Sequence, residues 1–112
     1  MFKIEAIIRP NRLEAVKRAL SEAGYNGMTI VDLHGIGNQK KFAHTNRGPK
    51  FITDVIDKTR IEIFASDKDV DEVTSVIIEN ARTGEVGDGR IFLTPVSWAM
   101  RIRNDDVADA AL

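Results

Sequence analysis

Cysteine is absent from this sequence, and its absence excludes several kinds of chemistry. Without thiols the chain cannot form disulfides, use a thiolate nucleophile, or hold zinc or iron–sulfur clusters through cysteine. The only histidines are His34 and His44, and two imidazoles so spaced, with no cysteine to help, make a poor transition-metal site. The lack of thiols is also in keeping with the cytoplasm, where we expect the protein to be found.

An excess of one charge and long apolar runs are missing too. Lys and Arg number 16 against 17 Asp and Glu, and the net charge of −1 argues against nucleic-acid binding, which needs a basic surface. No apolar run approaches the roughly 20 residues that span a bilayer, so we expect no membrane insertion. The opening MFKIEAIIRP has no signal-peptide core. With 112 residues, the chain fits a single domain over 1–112.

Hydrophobic periodicity predicts a strand, a helix and a strand in the first half of the chain. Alternation over Phe2–Arg9 predicts a half-buried strand, which Pro10 ends because proline cannot donate a ladder hydrogen bond. Asn11 is predicted to cap a helix that stops at Gly24. Met28–Gly35 is rich in β-branched residues and is predicted to be a second strand. The apolar positions of the helix are Leu13, Val16, Leu20 and Ala23.

The second half repeats this order after a segment without periodicity. Residues from Gly37 to about Asp54 predict a long mobile loop, and loops of this length in small domains are usually functional or disordered. Thr59–Ala65 is predicted to be a third strand, and Ile91–Ile102 a fourth. Asp67 or Asp69 would cap the helix between them. The apolar stripe of that helix is Val70, Val73, Ile77 and Ala81.

The order βαβ–loop–βαβ predicts an α+β fold of the ferredoxin-like type. Two such halves form a four-stranded antiparallel sheet with both helices on one face. The other face would expose apolar residues, and assembly with further copies of the chain would cover them. This fold serves many purposes, so function has to be argued from particular residues.

Three segments could bind an anion. In Thr83–Phe92, TGEVGDGRIF, three glycines let backbone N–H groups approach an anion, with Arg90 to answer its charge; a helix C-cap followed by a tight turn explains the glycines as well. Arg101 and Arg103 alternate along a predicted strand, so they either grip a polyphosphate together or form a solvated strand end. Gly35–Gln39 is either a third such site or a strand that ends in a flexible loop.

Taken together, these segments resemble the P-II family of nitrogen-regulatory proteins over essentially the whole chain. The resemblance rests on IEAIIRP, GYNGMTI, GIGNQK, TGEVGDGRIF and the closing RIRNDD…DAAL. It implies a homotrimeric signal-transduction protein that is not an enzyme. It also implies a T-loop at about 37–55, a nucleotide-binding B-loop at about 82–90 and a C-terminal loop at 101–112.

The resemblance further implies ATP or ADP bound in the cleft between neighbouring subunits. The adenine pocket would be formed by Ile7, Met28, Thr29, Glu62 and Phe64. The ribose and phosphates would meet Gly35, Gly37, Asn38 and Gln39, although Asn38 stands where arginine is common in the family. The phosphates would also be held by Gly87, Asp88, Gly89, Arg90, Arg101 and Arg103, with one or both of the last two from the adjacent chain.

A second ligand implied by the resemblance is 2-oxoglutarate, bound through Mg²⁺ on the ATP phosphates. Gln39 would complete the coordination of the metal, and Lys58 would pair with the distal carboxylate next to Gly87. Such a site is chemically reasonable, because Mg²⁺ prefers hard oxygen ligands and an ammonium group suits a lone carboxylate.

The T-loop departs from the family pattern at its modification sites. Phe51 stands where many members carry the tyrosine that accepts a nucleotidyl group, and Pro49 stands where some carry a phosphorylated serine. Arg47 is retained, and in relatives that plug an ammonium channel this arginine enters the pore. The implied partner is therefore a membrane transporter such as an ammonium channel, or a regulated enzyme.

Other functions are compatible with the same residues. A slow ATPase could use the same cleft, but the sequence offers no clear general base. A ferredoxin-like regulator of a different transporter could sense nucleotide alone. A metal-binding or nucleic-acid-binding domain of this fold is disfavoured by the histidine spacing and by the charge balance.

Overall fold

The computed structural model describes the backbone of residues 1–43 and 50–112 and the side chains of residues 1–34 and 57–112. Four strands and two helices form the domain, and short 3₁₀ turns lie at Pro10–Arg12 and Ala108–Ala111. The strands are β1 (Phe2–Ile8), β2 (Thr29–Ala43), β3 (Lys50–Ala65) and β4 (Arg90–Pro95), and the helices are α1 (Leu13–Glu22) and α2 (Val70–Ala81).

The strands form one antiparallel sheet in the order β2-β3-β1-β4. The central strand β1 pairs with both β3 and β4, so that Ile4 lies opposite Ile63 on one side and Leu93 on the other. This is the predicted ferredoxin-like arrangement, because each βαβ half contributes one inner and one outer strand.

The core lies between one face of the sheet and the two helices. Ile4, Ala6 and Ile61 are completely buried, as the period-two alternation of their strands predicts. Each such isoleucine contributes on the order of 2 kcal/mol through the apolar area it removes from water. The predicted stripe of α2 is confirmed, since Val70, Val73, Ile77 and Ala81 are its buried residues.

The start of α1 differs from the prediction. Asn11 does not cap the helix: residues Pro10–Arg12 form a 3₁₀ turn, and α1 begins at Leu13 after Arg12. Proline presets the backbone angle that a helical first residue needs, so the turn starts one step before the expected cap. The stop at Gly24 is confirmed by its φ of +95° and by the hydrogen bond from the Tyr25 N–H to the Leu20 carbonyl.

The two strands on either side of the predicted T-loop are longer than expected. Residues 37–43 and 50–55 belong to β2 and β3, which pair from Thr29 opposite Glu62 to Ala43 opposite Lys50, with a shift in register between Ile36 and Lys40. Periodicity missed this extension because backbone hydrogen bonds can hold a hairpin whose faces are not distinguished by polarity. Residues 44–49 lie outside the described residues.

The last strand is shorter than predicted. It ends at Pro95, and of the residues up to Ile102 only Met100 makes a further bridge, to Val107. The ladder stops because its partner strand β1 begins at Phe2, opposite Pro95, and beyond that pair only the Val96 N–H donates, to the Met1 carbonyl. The chain turns back instead and forms a small C-terminal hairpin.

The sheet face away from the helices combines charged and aromatic residues. Lys3, Glu5, Arg60 and Glu62 form a cluster in which opposite charges lie 3.3 to 3.7 Å apart. Phe64 and Phe92, on the same face, are 48% and 45% exposed. The face is therefore less uniformly apolar than expected, although it leaves large rings uncovered. Neither described helix is long and apolar enough to cross a membrane.

Candidate functional site

The loop between α2 and β4 is held in shape by the Asp88 carboxylate. This group accepts hydrogen bonds from the Thr83 N–H (2.9 Å), the Thr83 hydroxyl (2.5 Å) and the Gly84 N–H (2.8 Å). The hydrogen bond from the Thr83 side chain is the largest cause that holds the pKa of Asp88 far below its ordinary value, against the opposing effect of burial. Asp88 therefore closes the loop on itself with its own carboxylate.

Arg9 ties the same loop to the end of β1. Its Nε donates to Asp88 Oδ1 at 3.1 Å, and its terminal nitrogen donates to the Val86 carbonyl at 2.8 Å. The planar guanidinium can make both contacts at once because its donors form a rigid fork. Neither Arg9 nor Thr83 was among the predicted site residues; a threonine and an aspartate at the two ends of a glycine-rich turn were the available signal.

The glycines of the loop are required by its geometry. Gly84, Gly87 and Gly89 have φ values of +88°, +106° and +97°, a region that side chains with a Cβ rarely adopt. At Gly89 a Cβ would lie 1.7 Å from the Ile7 carbonyl oxygen, so only glycine fits there. The tight turn that was one of the two explanations of the glycines in Thr83–Phe92 is thus present, and it brings the loop against β1.

A cluster of cationic groups adjoins this turn. Arg90 begins β4, lies opposite Ile7 and is exposed. Lys58 on β3 is half-buried and donates a hydrogen bond to the Gly87 carbonyl. Burial is the main cause that lowers the pKa of Lys58, and the charge of Arg9 lowers it further, while Asp88 partly opposes both. An anion bound here would relieve the repulsion between the charged side chains of Lys58 and Arg9.

A second set of predicted residues lies further along the sheet. Thr29 pairs with Glu62, and Phe64 follows two residues later on the same face of β3. Met28 packs against the core. Next to Phe64 is a crevice of about 590 Å³, whose walls include Gly27, Ser66 and Leu112. Its mixed apolar and polar lining could accept a flat ring with polar edges.

The two predicted arginines differ in their surroundings. Arg101 donates from one terminal nitrogen to Asp106 Oδ2 at 3.0 Å and from the other to the Leu112 carbonyl at 3.2 Å. Arg103 is exposed. Because β4 ends at Pro95, the two residues do not alternate along a strand as predicted; they occupy the turn of the C-terminal hairpin.

One chain brings the predicted residues together in two groups. The first contains Ile7, Lys58 and the loop Gly87–Arg90, and the second contains Thr29, Glu62 and Phe64. Lys58 and Glu62 are four residues apart on β3, about 13 Å at the rise of a strand. The two groups are also divided between crevices. Ile7 and Asp88–Arg90 line a smaller groove of about 210 Å³, whereas Phe64 is the member of the second group that lines the larger crevice.

Several predicted positions belong to the part of the chain whose side chains are not described. The backbones of Gly35, Gly37, Asn38 and Gln39 run in β2, where Gly35 lies opposite Ile56 and the others fall in the register shift. Arg47 lies outside the described residues altogether. Among the described residues, no three acidic or histidine side chains gather into a possible metal site.

Known proteins match this chain along its length. The family model described as Nitrogen regulatory protein P-II matches residues 1–106. The nitrogen regulatory protein P-II of Porphyra purpurea is 48% identical over 112 residues and covers all of both chains. The nitrogen regulatory protein P-II 1 of Escherichia coli is 42% identical over the same length, again covering all of both chains.

A solved structure shows the same fold. GlnK of B. subtilis superposes with a TM-score of 0.82 at 35% sequence identity, covering 99% of this chain and 97% of that one. The match of the family model, the identity to curated relatives along the whole chain and the shared fold leave one assignment: the chain belongs to the nitrogen regulatory protein P-II family of signal-transduction proteins.

Proposed function

We propose that this P-II protein senses ATP and ADP at sites between the subunits of a homotrimer and passes the signal to a partner protein in nitrogen metabolism. The observation that carries the proposal is the preformed turn from Thr83 to Arg90. Asp88 and Arg9 fix its shape, and Gly89 lies against β1, so the turn is held by contacts within the chain itself.

We base phosphate recognition on the groups of this turn that can face a ligand, which are backbone N–H groups and the Arg90 side chain. The Asp88 carboxylate accepts hydrogen bonds from the loop itself, and these bonds reduce its repulsion of an incoming anion. Arg90 stands exposed beside the turn, and the backbone N–H groups of a glycine-rich turn can approach phosphate oxygens closely. We therefore assign phosphate binding to the backbone of Gly87 and Gly89 and to the Arg90 side chain, with Asp88 as the residue that shapes the turn.

The separation of the two groups of residues supports a site made by two copies of the chain. Within one chain, the phosphate turn and the Phe64 side chain line different cavities. If a neighbouring copy places its Phe64 and its arginine pair opposite the turn, base and phosphates are both enclosed. Closed cyclic symmetry would repeat this contact three times and would cover the exposed sheet face.

Lys58 is the residue on which we base the proposed response to 2-oxoglutarate. Its ammonium group is half-buried, is opposed by Arg9, and donates to the Gly87 carbonyl next to the phosphate turn. A carboxylate bound there would lie close to the nucleotide phosphates, so Mg²⁺ between them would link the two ligands. We assign the remaining metal contact to Gln39, and the change in signal to the residues of the hairpin that follow it.

We expect this signal to act on a transporter, such as an ammonium channel, or on an enzyme, through residues 37–55 with Arg47. Ligands that favour one arrangement of the hairpin would change the affinity for the partner without any chemical step. The membership of the chain in a family of signal-transduction proteins supports this mode of action over catalysis.

The proposal is tested by calorimetric titration of ATP and ADP, with and without Mg²⁺ and 2-oxoglutarate. We expect both nucleotides to bind and 2-oxoglutarate to bind only with Mg²⁺ and ATP. Because linkage is reciprocal, ATP should raise the affinity for 2-oxoglutarate by the same factor that 2-oxoglutarate raises the affinity for ATP. If neither nucleotide produced heat or protection from thermal unfolding, the proposal would be wrong.

Two variants assign the ligands within the site. Arg103→Ala should weaken ATP binding roughly tenfold through the loss of a charged hydrogen bond. Arg18→Ala, which removes an exposed arginine of α1, is the matched control and should leave the affinity unchanged. Gln39→Ala should abolish binding of 2-oxoglutarate and retain most of the affinity for ATP. Equal binding of 2-oxoglutarate by the parent and Gln39→Ala would refute the role of Gln39.

A further inference from the structure

Asp106 makes the principal side-chain contact of Arg101. Its Oδ2 accepts a hydrogen bond from a terminal nitrogen of Arg101 at 3.0 Å and another from the Asn104 amide, also at 3.0 Å. The Asp106 carboxylate was not among the residues expected to serve the site. Its position raises the question of whether it holds Arg101 ready for a ligand or withholds it.

The backbone around Asp106 is anchored, so this acceptor cannot easily move away. The Arg101 N–H donates to the Asp106 carbonyl at 2.8 Å, and the Asp105 N–H donates to the Arg101 carbonyl at 3.0 Å. The Asp106 N–H donates to the Asn104 side chain at 3.2 Å. The bridge between Met100 and Val107 closes the hairpin. A partner held by so many local contacts acts as a fixed support.

The contact uses only part of the guanidinium. One terminal nitrogen donates to Asp106 and the other to the Leu112 carbonyl, which leaves donors of the five-donor fork for a ligand. The Arg101 side chain is about one-third exposed, so part of it can be reached from solvent. An arginine that is already held by two hydrogen bonds has less side-chain freedom to lose on binding.

We infer that Asp106 is a positioning residue: it orients the Arg101 guanidinium towards the nucleotide phosphates through its acceptor oxygen. The inference rests on the proposed function, in which Arg101 is a phosphate ligand. Asp106 itself touches no ligand. Its negative charge, by contrast, opposes the binding of an anion, so its orienting effect and its charge act in opposite directions.

These opposed effects make two substitutions at one position decisive. Asp106→Asn keeps an oxygen acceptor and removes the charge, so ATP should bind at least as tightly as in the parent. Asp106→Ala removes the acceptor, and Arg101 should lose its orientation, which weakens ATP binding by about fivefold, the equivalent of one ordinary hydrogen bond. The matched control is Asp105→Asn, which removes an exposed charge one residue away at a position with φ of +60° that asparagine tolerates.

The calorimetric comparison uses the full-length chain with ATP and Mg²⁺. If both Asp106 variants bound ATP more tightly, Asp106 would be an inhibitory contact, and if both bound like the parent, its role would be confined to stability; either result overturns the inference. The proposed function is tested separately, because it requires that the parent bind ATP and that Arg101→Ala weaken this binding.

A second measurement does not depend on affinity. In the ligand-free protein, the Arg101 side-chain N–H signals in nitrogen-15 spectra should indicate restricted rotation in the parent and in Asp106→Asn. In Asp106→Ala they should show averaging by free rotation. Equal restriction in all three proteins would mean that Asp106 does not hold the guanidinium, and would overturn the inference even if affinities changed.

Discussion

At the scale of single residues, the site depends on contacts that a Cβ or a lost carboxylate would disrupt. Gly89 and Asp88 are neighbours with different tasks: the first permits close approach of the loop to β1, and the second gathers the loop's own donors. The family resemblance implied that both hold phosphates, and this stays a prediction. Spacing could not reveal the hydrogen bonds that Asp88 accepts within the loop, because the turn that aims Thr83 and Gly84 at the carboxylate forms only in the folded chain.

Replacement of Gly89 should destabilise the fold strongly. In Gly89→Ala the new methyl group would collide with the Ile7 carbonyl, and the backbone would also be strained at its positive φ. We expect a loss of stability on the order of 3 kcal/mol or more. Gly84→Ala is the control, because it has a similar φ but open space around the Cβ, so its cost should be only about 1–2 kcal/mol. Urea unfolding measures both, and equal losses would contradict this explanation.

The hydrogen bonds to Asp88 should make the stability of the fold depend on pH in the acidic range. Because its pKa is lowered on folding, Asp88 stabilises the protein fully above the ordinary value of 3.8 and loses this effect as the pH falls towards the lower folded-state pKa. Asp88→Asn should therefore be less stable than the parent at pH 7, and the difference should shrink at pH 3. Urea midpoints at both pH values test this, with Asp105→Asn as the control. A difference that stayed constant would rule out titration of Asp88.

At the scale of elements, the buried stripe of α2 was predictable, whereas the ends of elements were not, and Ala23, predicted for the stripe of α1, is exposed beyond the end of that helix. The pattern of Val70, Val73 and Ile77 gave α2 correctly, since burial against the sheet imposes helical spacing. The end of β4 at Pro95 was missed because β-forming residues continue beyond it, and the ladder ends where its partner β1 begins, at Phe2 opposite Pro95. The β2–β3 hairpin was underestimated because its pairing rests on backbone groups, which carry no sequence pattern.

The same hairpin carries a prediction about modification. Phe51 lies in β3 and has no hydroxyl, so it cannot accept the nucleotidyl group that the family's tyrosine takes at this position. Mass spectrometry of the protein purified from nitrogen-limited cells should show no nucleotidyl adduct on residues 37–55. As a control, Phe51→Tyr restores the acceptor and should gain an adduct in cells that contain the modifying enzyme. An adduct in the parent would show that another side chain serves as acceptor.

At the scale of the whole molecule, the exposed sheet face should decide assembly. Sedimentation at micromolar concentration should show a trimer, because Phe92 and its neighbours would otherwise remain in water. Phe92→Ser should shift the protein towards the monomer. Leu93→Ser is the matched control: this residue is equally exposed but points to the helix side of the sheet, opposite Ile4. A parent that stayed monomeric, or equal effects of both variants, would contradict assembly through this face.

The turn from Thr83 to Arg90, held by its own hydrogen bonds, has a consequence for the rate of nucleotide binding. A nucleotide that meets a loop already folded on Asp88 need not wait for the chain to find its bound shape, and little conformational entropy is lost when it arrives. Its association should then be limited by diffusion and orientation, and the lifetime of each bound state by dissociation alone. Such a sensor would follow a changing ratio of ATP to ADP with a delay set by how quickly the previous nucleotide leaves.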